Sequence, residues 1–236
     1  MSDLDFVQTA HGSYYIPTFL HRDVIKDNIK NGIIFEKEIV DVAKEYIKEG
    51  DVVLDIGANL GQMSILFSKM CGKTGMVYSF EAQEFIFSIL VKNINANDIQ
   101  NIIPFYGAVY DDTKSEVIFP SHHMDRSYGS YGAFGLKPTK DPSNGDVVVK
   151  TITIDSLDIQ KKIGFMKIDI QGCDLLAMKG AKKTILRNKM PIIFEYEEQF
   201  QDFFKTSFSD YEEFVESIDY KFEKTILDIN YLILPK

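Results

Sequence analysis

An α/β fold with a mostly parallel sheet is what this sequence predicts, and three observations predict it. At residues 51–62 the chain reads DVVLDIGANLGQ, an apolar strand that runs into a glycine-containing turn and straight on into a helix. Strand-like and helix-like segments then alternate as far as residue 106, an order that right-handed crossovers turn into parallel strands. Further along, short apolar strands at 165–170 and 192–195 again end in carboxylates, so several strand ends meet at one edge of a sheet.

The elements follow in order. Residues 1–50 read as an accessory cap, with a short strand at 12–17 and an amphipathic helix at 35–48 that places Ile39, Val42, Ala43, Tyr46 and Ile47 near one face. The run Val52, Val53, Leu54 suits a strand covered on both faces, and Met63, Leu66, Phe67 and Met70 recur at helical spacing after it. A second strand at 76–81 ends in Glu81, a helix covers 84–95, and a third strand covers 102–106. Residues 111–150 interrupt the alternation as an inserted substrate-side loop, with strands at 117–119 and 147–153 around a polar stretch. That stretch, 121–135, combines His122 and His123 with tyrosines and glycines, as a substrate-gripping lid or a plain polar surface loop would. After the strand at 165–170 come a helix at 175–181, Pro191 and the strand at 192–195. A helix at 210–218 and a hairpin of strands at 221–226 and 231–234 close the chain. With no internal repeat and no long linker, residues 1–236 read as a single domain.

The turn indicates the ligand. Its G-x-x-x-G spacing lacks the middle glycine of a dinucleotide fingerprint and the Gly-Lys-Ser/Thr ending of a triphosphate loop, so phosphate is not the expected ligand. Glu81 stands about 20 residues beyond, where such folds place the acid that accepts hydrogen bonds from ribose hydroxyls. Adenosine without a pyrophosphate fits, and S-adenosylmethionine is the common cofactor of that kind. The competing reading is that the glycines serve packing alone.

Composition narrows the partners. A formal net charge of −9 argues against nucleic acid, whose phosphates need clustered Lys and Arg. The pairs Lys161, Lys162 and Lys182, Lys183 read as solvated faces. Cys71 and Cys173 form no C-x-x-C pair, which makes a reducing, cytoplasmic setting the default. The acidic start, Asp3 and Asp5, is unlike a secretion signal, and no apolar run of about 18 residues occurs, so no membrane association is expected.

Taken together, the motifs resemble the FkbM-type S-adenosylmethionine-dependent methyltransferases of the class I superfamily. The matching stretches are D-x-G-A-N-x-G at 55–61, F-E-P read as Phe80, Glu81, Ala82, T-x-D-x-L at 153–157, K-x-D-x-E-G at 167–172, and Pro191 before an apolar strand ending in Glu195. The resemblance spans roughly residues 30–200, with Ala82 in place of proline and Gln171 in place of glutamate. It implies a Rossmann-like class I methyltransferase fold: a mostly parallel seven-stranded sheet, an antiparallel C-terminal hairpin and the N-terminal cap. It also implies that the backbone at Gly57, Ala58, Asn59 and Gly61 holds the methionine part of the cofactor, and that Asp55 orders the turn or reaches the ammonium through water. Glu81, followed by Ala82, holds the ribose; Ala108 and Val109 line the adenine or simply fill the core.

For a hydroxyl acceptor a base must take the proton as the new bond forms. Asp169, at the shared edge of cofactor and acceptor, is the first candidate, unless it merely caps the next helix. His123 and His122 are the others, since imidazole titrates near neutrality. Asp169, Asp174 and Glu195 could gather magnesium, but Gln171 in an acid's place argues against it, and no metal is expected. The expected activity is O-methylation of a sugar, glycan or other small polar molecule. A non-catalytic S-adenosylmethionine-binding module and a nicotinamide-dependent oxidoreductase are the alternatives, the latter lacking its G-x-G-x-x-G.

Overall fold

The structure, a computed structural model, describes residues 3–19, 23–112, 116–119 and 147–236. The strands at 52–56 and 163–168 are buried throughout because both faces of their sheet are covered. In chain order the elements are β1 (Leu4–Gln8), β2 (Ser13–Pro17), α1 (Val24–Lys30), α2 (Lys37–Tyr46), β3 (Val52–Ile56), α3 (Gln62–Cys71), β4 (Met76–Glu81), α4 (Glu84–Ala96) and β5 (Ile102–Tyr106). There follow β6 (Ala108–Val109), β7 (Glu116–Phe119), β8 (Val147–Ile152), a 3-10 turn (Ile154–Leu157), β9 (Ile163–Ile168), α5 (Asp174–Gly180), α6 (Lys182–Asn188), β10 (Ile192–Glu195), α7 (Glu198–Phe204), α8 (Phe208–Ser217), β11 (Tyr220–Ile226) and β12 (Asn230–Pro235).

Seven strands form the main sheet in the order β11-β12-β10-β9-β3-β4-β5. β5, β4, β3, β9 and β10 pair in parallel, while β12 runs antiparallel to both β10 and β11, the closing hairpin expected from the sequence. Alternation of side chains divides the core in two. Val53, Val77, Phe165, Ile193 and Leu232 face α2, α3 and α4, where Phe67 meets Phe165 edge-on at 5.8 Å. Leu54, Ile56, Met166, Ile168, Ile192 and Phe194 face α5, α6 and α8.

Within residues 1–50 the cap holds two elements beyond the strand and helix read from the sequence, because β1 pairs with β2 and α1 follows them; neither carries a periodic signal of its own. Two asparagines one turn apart, Asn93 on α4 and Asn97 just past its end, hold this hairpin. Asn93 accepts from the Tyr15 amide (2.6 Å) and donates to its carbonyl (3.2 Å), and Asn97 does the same for Ser13 (2.9 and 2.7 Å), each side chain standing in for a neighbouring strand. The inserted strands β7 and β8 pair antiparallel, and β8 pairs with β6, as a small separate sheet. Among the described residues no helix is long and apolar enough to cross a membrane.

Candidate active site

The β3–α3 turn is bound by hydrogen bonds within itself and to the end of β4. The amides of Gly57 and Ala58 both donate to the Phe80 carbonyl (3.0 and 2.9 Å), Asn59 donates to Glu81 Oε2 (3.0 Å), Leu60 to Asn59 Oδ1 (2.8 Å) and Gly61 to the Ala58 carbonyl (2.9 Å). The turn therefore offers a ligand chiefly its shape, its N–H groups being already donated. The glycines answer to packing: a Cβ on Gly57 (φ 83°) would stand 1.9 Å from the Asp169 carbonyl oxygen, and one on Gly61 (φ 86°) 2.6 Å from Leu90 Cδ1. Asn59 at φ 49° takes the left-handed conformation that its short amide tolerates.

Asp55 is fully buried beneath this turn. One carboxylate oxygen accepts from the Ser64 hydroxyl, which in turn accepts from Ser79 (2.8 Å), and the other lies 3.9 Å from Lys167 Nζ. Burial raises its pKa, an effect that Lys167 and Ser64 oppose. On the other side of β3, Glu81 accepts from the amides of Asn59 and Gln83 (2.8 Å) and remains half-buried at the mouth of the turn. Desolvation pushes it up to about 7 against those hydrogen bonds. Ala82 is half-buried beside it, whereas Ala108 and Val109 are buried and packed, Ala108 on Val117 and Val149, Val109 in the core containing Phe80.

The β9–β10 edge is built from charge. Lys167, 3% exposed, is desolvated, but Asp169, Asp55 and Glu36 more than offset this and hold it charged. Its Nζ donates to the Gly57 carbonyl (3.1 Å) and pairs with Asp169 Oδ2 (3.3 Å). Gln171, left-handed at φ 54°, turns its amide back to donate to Asp169 Oδ1 (3.2 Å) and Glu195 Oε2 (2.9 Å). That conformation costs a non-glycine residue about 1–3 kcal/mol. Asp174, fully buried, accepts from the Glu195 amide (3.2 Å) through one oxygen and leaves the other unpartnered among the described residues. Burial, then Asp169, pushes Asp174 up to about 7, and burial with the Asp169 and Asp174 charges raises Glu195 as well. Asp169 caps no helix: the N-cap position of α5 is Cys173, and no side chain caps it.

The cap closes over the turn. A pocket of about 360 Å³, counting its open mouth, lies between Ile25, Phe35 and Glu36 of the cap and Gly57, Lys167 and Asp169 of the sheet edge. Gln62, the first residue of α3, grips the cap segment from below, accepting from the Phe35 amide (2.9 Å) and donating to the Ile33 carbonyl (3.0 Å). Asn93 donates to the Leu60 carbonyl (2.8 Å), which joins the β1–β2 hairpin to the same turn. Glu36 stands at φ 48° before α2, pushed up to about 7 by burial and then by Asp169.

The structure thus brings Asp55, Gly57, Ala58, Asn59, Gly61, Glu81 and Asp169 to one edge, and sets Ala108 and Val109 in the core behind it. His122 and His123 lie outside the described residues. Sequence reasoning gave no role to Glu36, Gln62, Asn93 or Lys167, the last quoted only as part of a motif. Only Lys167 carried a signal, a lysine alternating with buried Met166 and Ile168 in a strand whose two faces are both apolar.

The sequence profile described as methyltransferase FkbM domain matches residues 55–222. A Saccharolobus solfataricus protein named "Probable cobalt-precorrin-6B C(15)-methyltransferase (decarboxylating)" is 25% identical over 154 residues, covering 61% of this chain and 75% of that protein. A structure from Clostridium thermocellum, described as a candidate rRNA-methylase, aligns with a TM-score of 0.52 at 10% identity, covering 84% of this chain and 92% of that one. The methyltransferase FkbM structure from Methylobacillus flagellatus KT aligns with a TM-score of 0.50 at 15% identity, covering 82% of this chain and 49% of that one. At these identities the two structures show a shared fold.

Proposed function

The chain belongs to the FkbM methyltransferase family, whose methyl donor is S-adenosylmethionine, and on that premise we propose that it is an O-methyltransferase acting on a hydroxyl of a sugar, glycan or other small polar molecule. The observation that carries the reading is the acceptor edge, where Asp169, Gln171 and Glu195 form a chain of hydrogen-bonding groups at the carboxyl ends of β9 and β10. Such an edge accepts from neutral hydroxyls and repels an anion. With a net charge of −9 it makes a phosphate-rich acceptor unfavourable, although one structure of this fold is described as a candidate rRNA-methylase.

When bound, S-adenosylmethionine supplies a methyl group on a sulfonium, an electrophile that needs an aligned nucleophile and a dry site. The residues present suit it. Each Glu81 oxygen accepts one backbone N–H and keeps a lone pair for a ribose hydroxyl. Ala82 would put apolar surface beside the adenine, while Ala108 and Val109 fill the core behind it. The turn at Gly57, Ala58, Asn59 and Gly61 supplies the floor, and Asp55 holds that floor from beneath through Ser64. Asp169 accepts the hydrogen bond of the acceptor hydroxyl, and Lys167 keeps its carboxylate in place. His122 and His123 are the second candidates for the proton acceptor.

The test is a panel of sugars, glycans and small metabolites incubated with the purified chain and S-adenosylmethionine, read by mass spectrometry for the gain of one methylene. A methylated hydroxyl on a neutral acceptor supports the reading. Methylation of carbon, nitrogen or RNA in its place overturns it, and cofactor binding without transfer to any acceptor favours a non-catalytic module.

A further inference from the structure

Near the turn, two carboxylates keep a buried oxygen with no hydrogen-bond partner among the described residues: Asp55 and Glu36. Asp55 lies beneath the turn, completely enclosed, with its charge answered by Lys167. Glu36 differs, because it lines the pocket. Its side chain caps no backbone group of α2, although it occupies the position from which a capping side chain would act. It is nevertheless held in place, since Gln62 pins both Ile33 and Phe35 and Gln62 itself follows directly on Gly61. The segment bearing Glu36 is therefore fastened to the turn that forms the pocket floor.

Sheet order says which end of a ligand reaches this pocket. β4, with Glu81, lies on one side of β3, and β9, with Lys167 and Asp169, lies on the other. A cofactor with its ribose on Glu81 and its body across the turn ends against Glu36, Lys167 and Gly57. In S-adenosylmethionine that end is the amino-acid zwitterion. We propose that Glu36 is a cofactor-binding residue whose carboxylate receives the α-ammonium of the methionine portion, with Gln62 as the residue that positions it. The ammonium supplies the donor that Oε2 lacks and a charge to match a half-buried carboxylate. Lys167, on the same wall, carries the sign that suits the zwitterion's carboxylate. The assignment rests on the S-adenosylmethionine reading of the site.

Calorimetry on the full chain tests it with two ligands, S-adenosylhomocysteine and 5′-methylthioadenosine, the second lacking the amino-acid end. Glu36→Gln preserves shape and is expected to weaken S-adenosylhomocysteine by about tenfold or more, the loss of one charge-assisted hydrogen bond, while methylthioadenosine changes by less than about twofold. An equal loss for both ligands, or none for either, overturns the assignment and leaves the cofactor reading standing. A wild-type chain that binds neither ligand overturns both. Gln62→Ala, which frees the segment, is expected to show the same ligand-selective loss and decides the matter should Glu36→Gln fail to melt cooperatively.

Discussion

The two halves of the sheet edge are built by different physics. On the β3–β4 side the work is geometric: backbone amides are consumed by the turn and the end of β4, and glycines stand where a Cβ would strike Asp169 or Leu90. On the β9–β10 side it is electrostatic. There Asp169, Asp174 and Glu195 crowd round one lysine and one amide, and the acids respond to burial and to one another. A geometric edge leaves a mark in local sequence, since turns select glycine. An electrostatic edge leaves residue types but not their protonation states.

Substitutions at Asp169 and Gly57 should separate the two most sharply. Asp169→Asn should lower turnover by about 10²–10⁴-fold, the usual worth of a general base, with the melting temperature and cofactor affinity nearly unchanged. Wild-type turnover in that variant would leave the base to be sought at His122 or His123. Gly57→Ala should act on the fold instead. Strained left-handed backbone and a collision 1.9 Å from a carbonyl oxygen together predict a loss of about 2–6 kcal/mol in denaturant unfolding. A stable Gly57→Ala chain would mean that the turn can move away from β9.

Glu81→Ala should weaken S-adenosylhomocysteine by at least about tenfold in calorimetry, with the fold retained. The same carboxylate gives affinity a pH dependence. Held up at about 7, Glu81 is largely protonated at pH 6 and ionised at pH 8, so affinity should rise with pH by up to roughly tenfold across that range and flatten in Glu81→Ala. Flat wild-type affinity would place the ribose elsewhere.

The smallest expected effect comes from Gln171→Glu, which restores the residue usual in the family. Its amide donates to two carboxylates, and an acid there replaces both hydrogen bonds with repulsion, for about 1–3 kcal/mol of stability. The sign with pH is determined. A carboxyl whose folded pKa is raised binds more protons folded than unfolded between the two values, so stability falls as pH rises through that window. The gap in melting temperature between Gln171→Glu and wild type should therefore widen from pH 5 to pH 8. A gap independent of pH would show that the cluster is not coupled through charge.

Much of this molecule was legible before the structure. The strands at β3, β4, β5, β9 and β10 and the closing hairpin follow from apolar runs punctuated by glycine, proline and acid, because a strand buried on both faces must be written continuously. The turn glycines, Glu81 and Asp169 follow from the same local grammar and from a resemblance made of dispersed motifs. β1, α1, α6 and α7 were not legible, being short and weakly patterned.

What only the tertiary structure decided is what those residues are spent on. Gln62 grips Ile33 and Phe35 across 29 and 27 positions, and Asn93 reaches Tyr15 and Leu60 across 78 and 33. No local pattern announces such contacts, because a side-chain amide bonded to a distant backbone obeys no period. That a Cβ has no room at Gly57 was decided by the packing of the turn of β3 against the end of β9. Whether a carboxylate is matched or left over, as at Asp55 and Glu36, was settled in the same way, since burial and charge are sums over neighbours that the chain brings together only by folding.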